Sequence, residues 1–183
     1  MAQTLARWKE GPLPLRSLNH ISRNSANIQA SLDFYVNILG FVPVKRPGFL
    51  KFDGAWLFNY GIGIHLLQDE GGINPVTKTP DHVINPRDNH ISFQCDDIEA
   101  VGKRLDEACI KYVRRVVEEG GIEVEQLFFL DPDGFMIEVC TCEKLPIEPL
   151  VGGATCYTVF CKELPSACML PYPTTSQGAC TQY

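Results

Sequence analysis

Three of the four histidines, His20, His65 and His90, lie inside short apolar runs, and Glu138 lies in a fourth, Phe135-Met136-Ile137-Glu138-Val139-Cys140. A carboxylate buried without a partner is expensive, so Glu138 calls for a donor or a cation. The spacing of the four suggests which. Asn19-His20-Ile21-Ser22 recurs 70 residues later as Asn89-His90-Ile91-Ser92, and Ile28-Gln29-Ala30 recurs at the same offset as Ile98-Glu99-Ala100. The run Gly63-Ile64-His65-Leu66 matches the run around Glu138, with 45 residues from His20 to His65 and 48 from His90 to Glu138. A single strand histidine is ordinarily a core or surface residue; it is the repeat that gives these three a shared meaning. Strands show alternate residues to one face, so each half can offer two groups to one concave surface. Three imidazoles and one carboxylate suit a divalent transition metal. One carboxylate against a dication leaves the site formally +1, fit to polarise a carbonyl oxygen or to steady an enolate.

Each half reads as strand, helix, then three strands. The first places strands at 17–23, 41–46, 55–60 and 63–68, and the second at 89–95, 112–117, 123–130 and 135–141, with helices from Ile28 and from Ile98. Asn27 and Asp96 are the expected N-caps. Gly120-Gly121 and Asp131-Pro132-Asp133-Gly134 close the two hairpins of the second half. The expected organisation is an N-terminal extension over 1–14 and one domain over 15–142. That domain divides into module 1 at 15–68, a Pro/Gly-rich linker at 69–88 and module 2 at 89–142, with a Pro- and Cys-containing tail over 143–183. His82 falls in the linker and reads as a surface residue. Cys140 and Cys142 share the face parity of Glu138 and read as buried free thiols.

With 183 residues, 45% hydrophobic and 21% charged, the chain has the composition of a globular protein large enough for a real core. A net charge of −6 argues against a nucleic-acid partner, and no apolar run approaches the roughly 20 residues of a membrane helix. Eight cysteines without a Cys-x-x-Cys motif, and an N-terminal stretch without an apolar leader, point to free thiols in a cytoplasmic protein.

These residues resemble the vicinal oxygen chelate superfamily, and within it the glyoxalase I-like proteins of plants. The resemblance rests on Leu18-Asn19-His20-Ile21, Ser31-Leu32-Asp33-Phe34-Tyr35, Leu39-Gly40-Phe41, Asn89-His90-Ile91-Ser92-Phe93, and Asp131-Pro132-Asp133-Gly134-Phe135 with Ile137-Glu138. It covers Leu15 to about Cys142. It implies an α+β fold of paired βαβββ modules forming an open metal-binding barrel. The ligand positions fall on His20, His65, His90 and Glu138, with two places left for water or substrate. The metal is zinc, nickel, cobalt or manganese, and a homodimer is left open.

The chain departs from the glutathione-dependent members of that family. A histidine, His65, stands where they commonly carry a carboxylate. Their arginine after the first ligand is Asn24, their asparagine after the second is Asp69, and their arginine before the third is Pro86. Arg23 and Arg87 are each one residue away, which turns them to the other face. The expectation is therefore a metal-dependent lyase or isomerase of specialised metabolism that does not require glutathione. Its substrate would be a fairly apolar carbonyl compound, with Glu138 as base and Trp56, Phe58, Phe93 and Tyr112 as pocket walls. Loss of a β-hydroxyl as water could lead on to aromatisation. Glutathione-dependent glyoxalase I, an extradiol-type dioxygenase using His20, His90 and Glu138, and a small-molecule sequestering protein are the alternatives.

Overall fold

The computed structural model describes residues 13–71 and 83–146. His82 and the four cysteines of the tail lie outside the described residues. The first module runs β1 (His20–Ser25), α1 (Ile28–Asn37), β2 (Val42–Val44), β3 (Gly54–Asn59) and β4 (Ile62–Gln68). The second runs β5 (His90–Gln94), α2 (Ile98–Glu107), β6 (Tyr112–Glu119), β7 (Ile122–Leu130) and β8 (Met136–Cys140), followed by a 3-10 turn at Cys142–Lys144. Each module is a four-stranded mixed sheet, ordered β1-β4-β3-β2 and β5-β8-β7-β6. This is the paired βαβββ architecture expected from the duplication. Neither described helix is long and apolar enough to cross a membrane.

The helices begin where a side chain can satisfy a free backbone amide. The Ala30 amide donates to Asn27 Oδ1 at 3.1 Å, and the Ala100 amide donates to Asp97 Oδ1 at 2.9 Å. The second cap is thus Asp97 rather than Asp96. It stands 70 residues after Asn27, three residues before the amide it holds, while Asp96 is one residue too early. The hairpin between β6 and β7 turns on Gly120 and Gly121, both at positive φ (60° and 81°), the backbone of a tight two-residue turn.

One face of each sheet builds the core. Leu57, Ile64 and Leu66 of the first sheet join Leu127, Phe129, Ile137 and Val139 of the second in a single cluster with Phe34 and Tyr35 of α1 and Ile98 and Leu105 of α2. Phe34 meets Phe129 with centroids 6.2 Å apart. A buried polar latch ties the modules beside this core. The Tyr35 hydroxyl donates to Asp131 Oδ2, and the Ser31 hydroxyl and the Ala26 amide donate to the two oxygens of Asp133, all at 2.9 Å. Burial pushes the Asp131 carboxyl above its usual range, partly offset by donation from the Phe135 amide, Tyr35 and the Asp133 amide.

Candidate active site

Alternation decides the site. Residues of β1, β4, β5 and β8 that do not face the core include His20, His65, His90 and Glu138. The two modules repeat the arrangement in register: Ser22 pairs with His65 across β1–β4, and Ser92 pairs with Glu138 across β5–β8. His65 and Glu138 therefore occupy equivalent places, each diagonal to the histidine that opens its module.

In the first module the rings form a stack. His20 lies on His65 with centroids 3.9 Å apart and planes 16° from parallel, and Trp56 covers the other face of His65 at 4.1 Å and 2°. Gly63, opposite His20 in the ladder, leaves room for this. A Cβ there would stand 3.1 Å from His20 Cβ and 3.7 Å from His65 Nε2. The His20 Nδ1 lies 2.8 Å from Asn19 Oδ1, an acceptor, so Nδ1 is the nitrogen that donates and the contact orients the ring. Burial, and then the neighbouring His20, hold His65 below the usual imidazole value. Neutral rings are the form that stacks without charge repulsion and the form that ligates a metal.

In the second module Glu138 is buried at 4% exposure. Gln126 Nε2 donates to its Oε1 at 2.5 Å, and His90 Nε2 lies 3.1 Å from its Oε2. His90 Nδ1 is 2.8 Å from the carbonyl oxygen of Asp88, which can only accept, so that nitrogen carries a proton. A neutral ring of that tautomer would point a bare lone pair at a carboxylate oxygen 3.1 Å away. Two electron-pair donors at that distance repel unless a cation stands between them, either a proton on Nε2 or a metal ion. The donor set, with two histidine orientations fixed by hydrogen bonds from Nδ1, fits a divalent d-block ion.

One chain presents the four groups as two pairs, His20 with His65 and His90 with Glu138. Among the described residues, the group of three or more ligating side chains whose donor atoms lie within 4.8 Å of one another is Glu138, Cys140 and Cys142. Of the expected pocket residues, Trp56 and Phe58 share the His65 face, their partners across β3–β4 being His65 and Gly63. Phe93 and Tyr112 have the opposite parity and pack against the core. They pair in the ladders with the positions of Val139 and Phe129, which are core residues, so alternation places them on the face opposite His65 and Glu138. Phe93 instead helps line an apolar cavity of about 730 Å³ with Ile21, Ile62, Ile91 and Phe129. Sequence reasoning missed Gly63, Gln126, Asn19 and the Asp88 carbonyl. The first two were discoverable, since register with His20 and face parity with Glu138 single them out.

The Glyoxalase/Bleomycin resistance protein/Dioxygenase superfamily model matches residues 17–139. The chain belongs to this superfamily. It is 56% identical over 141 residues to "Glyoxylase I 4" of Arabidopsis thaliana, covering 77% of this chain and 79% of that one. It is 26% identical over 158 residues to "Glutathione transferase FosA" of Serratia marcescens, covering 85% and 95%. Among solved structures, a glyoxalase/dioxygenase from Nostoc punctiforme superposes with a TM-score of 0.56 at 26% identity, covering 71% of this chain and 93% of the other. A putative glyoxalase family protein from Bacillus anthracis gives the same TM-score at 18% identity, covering 71% and 98%, which speaks for the fold. Within the superfamily the chain is a glyoxalase I-like enzyme of the metal-dependent lyase type.

Proposed function

We propose that this enzyme is a lyase or isomerase for a fairly apolar carbonyl compound, that His20, His65, His90 and Glu138 hold its divalent ion, and that glutathione is not needed. The observation that carries the reading is His90 Nε2 set 3.1 Å from the buried Glu138 Oε2, with His90 Nδ1 already engaged by the Asp88 carbonyl. The ion, when bound, supplies Lewis-acid polarisation of the substrate carbonyl and stabilises the negative charge of an enolate. Glu138, once loosened from the ion during turnover, would take a proton from the carbon beside the carbonyl and return it for isomerisation. A β-hydroxyl leaves as water where the substrate carries one, and a ring can then aromatise. Gln126, donating to Glu138 Oε1, keeps the other oxygen directed toward the histidine side. Trp56 and Phe58 supply apolar wall on the same face. A reducing compartment such as the cytosol is consistent with Cys95, Cys109, Cys140 and Cys142, all free thiols.

Two pairs on faces turned away from the core do not make one four-ligand site. We infer that a homodimer does, module 1 of one chain facing module 2 of the other. The His65 face of the first sheet supports this: Val42, Val44 and Phe58 are 59%, 43% and 50% exposed on it, apolar area that a facing sheet would cover. Complementation tests the arrangement. A His20→Ala/His65→Ala chain and a Glu138→Gln chain are each inactive, yet a mixed dimer regains one intact site if sites are shared. No recovery in verified mixed dimers would show that each site is built from one chain.

Glutathione independence rests on the charges at the site. Asn24 shares the His20 face, whereas Arg23, beside it, lies over the Phe135 ring at 4.5 Å on the core side. An Arg–carboxylate contact is charge-assisted, and a neutral amide does not replace it. The FosA relative, a glutathione transferase by name, favours a second reading in which the thiol binds through other groups. Calorimetric titration of glutathione into metal-loaded protein, with turnover of the glutathione–methylglyoxal hemithioacetal alongside, separates the two. Micromolar binding with efficient turnover overturns the glutathione-independent reading.

A further inference from the structure

Strand β8 carries more donors than the four-ligand reading uses. Glu138 and Cys140 are two residues apart and share one face, both buried. A continuing strand would carry Cys142 a further ~6.7 Å along. Instead the chain bends at Thr141 (φ −105°, ψ 36°) into the 3-10 turn, and the Cys142 thiol stays beside the other two groups. The carboxylate oxygen and both sulfurs lie within 4.8 Å of one another. Ligand atoms around a tetrahedral zinc-type ion at Zn–S distances near 2.3 Å are about 3.8 Å apart, so the three need only small side-chain rotations to share an ion. Gln126 borders the same space, donating to Glu138 and meeting the Cys142 sulfur. Ser92 Oγ lies 3.5 Å from Cys140 Sγ on the β5 side.

We propose that Glu138, Cys140 and Cys142 form a second site, overlapping the first at Glu138, for a thiophilic divalent ion, zinc or cadmium. Two soft sulfurs and one oxygen select such ions over the harder magnesium or calcium. On binding, two S–H bonds break, both protons pass to solvent, and two metal–sulfur bonds form, with no change of oxidation state. Two thiolates and a carboxylate against a dication leave a net −1. The ion site itself does not depend on the histidine reading. Its consequence for activity does, because Glu138 cannot serve the histidines and the thiolates at once, so a thiophilic ion would inhibit.

The test is titration of Cd2+ into chelator-stripped full-length protein, followed by the near-ultraviolet thiolate-to-cadmium charge-transfer absorption and by proton release into weak buffer. The expected result is a band saturating at one equivalent with two protons released per ion. The band persists in His20→Ala/His65→Ala and falls to baseline in Cys140→Ala/Cys142→Ala. Circular dichroism checks that the double variant is folded. Cys142→Ala alone, at the half-buried turn position, is the fallback and must weaken the band. Absence of a band in the parent protein, or an unchanged band in the folded cysteine variants, overturns the proposal. Nickel binding by the double cysteine variant, measured by equilibrium dialysis, reports separately on the histidine centre.

Discussion

Gly63→Ala should separate metal affinity from folding stability. Gly63 lies opposite His20 in the β1–β4 ladder, and its amide donates to the Asn19 carbonyl at 2.9 Å. An added Cβ would stand 3.1 Å from His20 Cβ, short of the ~3.5–4.0 Å at which carbon atoms rest. The strand must therefore yield by about half an ångström at His20, while the 3.7 Å contact to His65 Nε2 is already ordinary. The imidazole extends beyond Cβ, so a small tilt at its root moves Nε2 further than Cβ itself. Metal ligands tolerate about 0.5 Å of misplacement, and disturbed supporting groups typically cost 10–100-fold in affinity. The backbone at Gly63 is not in the left-handed region, so alanine fits and loses less freedom on folding, worth about 0.4–1 kcal/mol in favour of the fold. Competition against a chromophoric chelator should show roughly tenfold weaker binding. Thermal unfolding of the metal-free protein should shift by less than the equivalent of about 1 kcal/mol. Parent-like affinity would refute the argument that this glycine exists to seat the two rings. A large loss of stability would show that the clash is borne by the core instead.

Other outcomes follow from the same contacts. Glu138→Gln should retain the fold and lose about 10²–10⁴-fold in turnover, as expected for a missing general base; measured metal content shows how far ligation is lost with it. Tyr35→Phe removes the hydroxyl that donates to Asp131 Oδ2 and should cost about 1–3 kcal/mol by denaturant titration, because the buried carboxylate loses a donor. Asp131 has its folded pKa raised, so the folded state holds the proton more tightly, and stability from this group is full below the unfolded value near 3.8 and lost as pH rises through the folded one. Asp131→Asn should remove that decline, giving a flatter stability profile across the acid range; an unchanged slope would place its origin elsewhere.

Much of the fold was legible because duplication lets each half check the other. The seven-tens offset located both helices, and applying it to the cap as well would have chosen Asp97, the residue equivalent to Asn27. The loop Asp131-Pro132-Asp133-Gly134 was legible as a turn but not as a latch. Its composition is that of any tight turn, and nothing local says that Tyr35, 96 residues away in sequence, will donate to it. Which face Phe93 and Tyr112 take was not legible for a related reason. An aromatic in a strand suits either face, and only the ladder, with Phe93 beside Val139 and Tyr112 beside Phe129, fixes which.

The four candidate ligands were legible as a set, but their placement was not, and the reason lies in the two faces of a strand. Pseudo-twofold symmetry between the repeats was expected to gather all four on one surface. Within the chain the repeats instead meet through Ile64, Leu66, Ile137 and Val139, the neighbours of His65 and Glu138 in sequence. Alternation then forces His65 and Glu138 to the side away from that contact. The apolar neighbours that made these residues conspicuous in the sequence are the ones that turn them away from the core. Hydrophobic flanks thus told where the candidate ligands lie along each strand, while the choice of which faces meet belonged to packing over both modules at once.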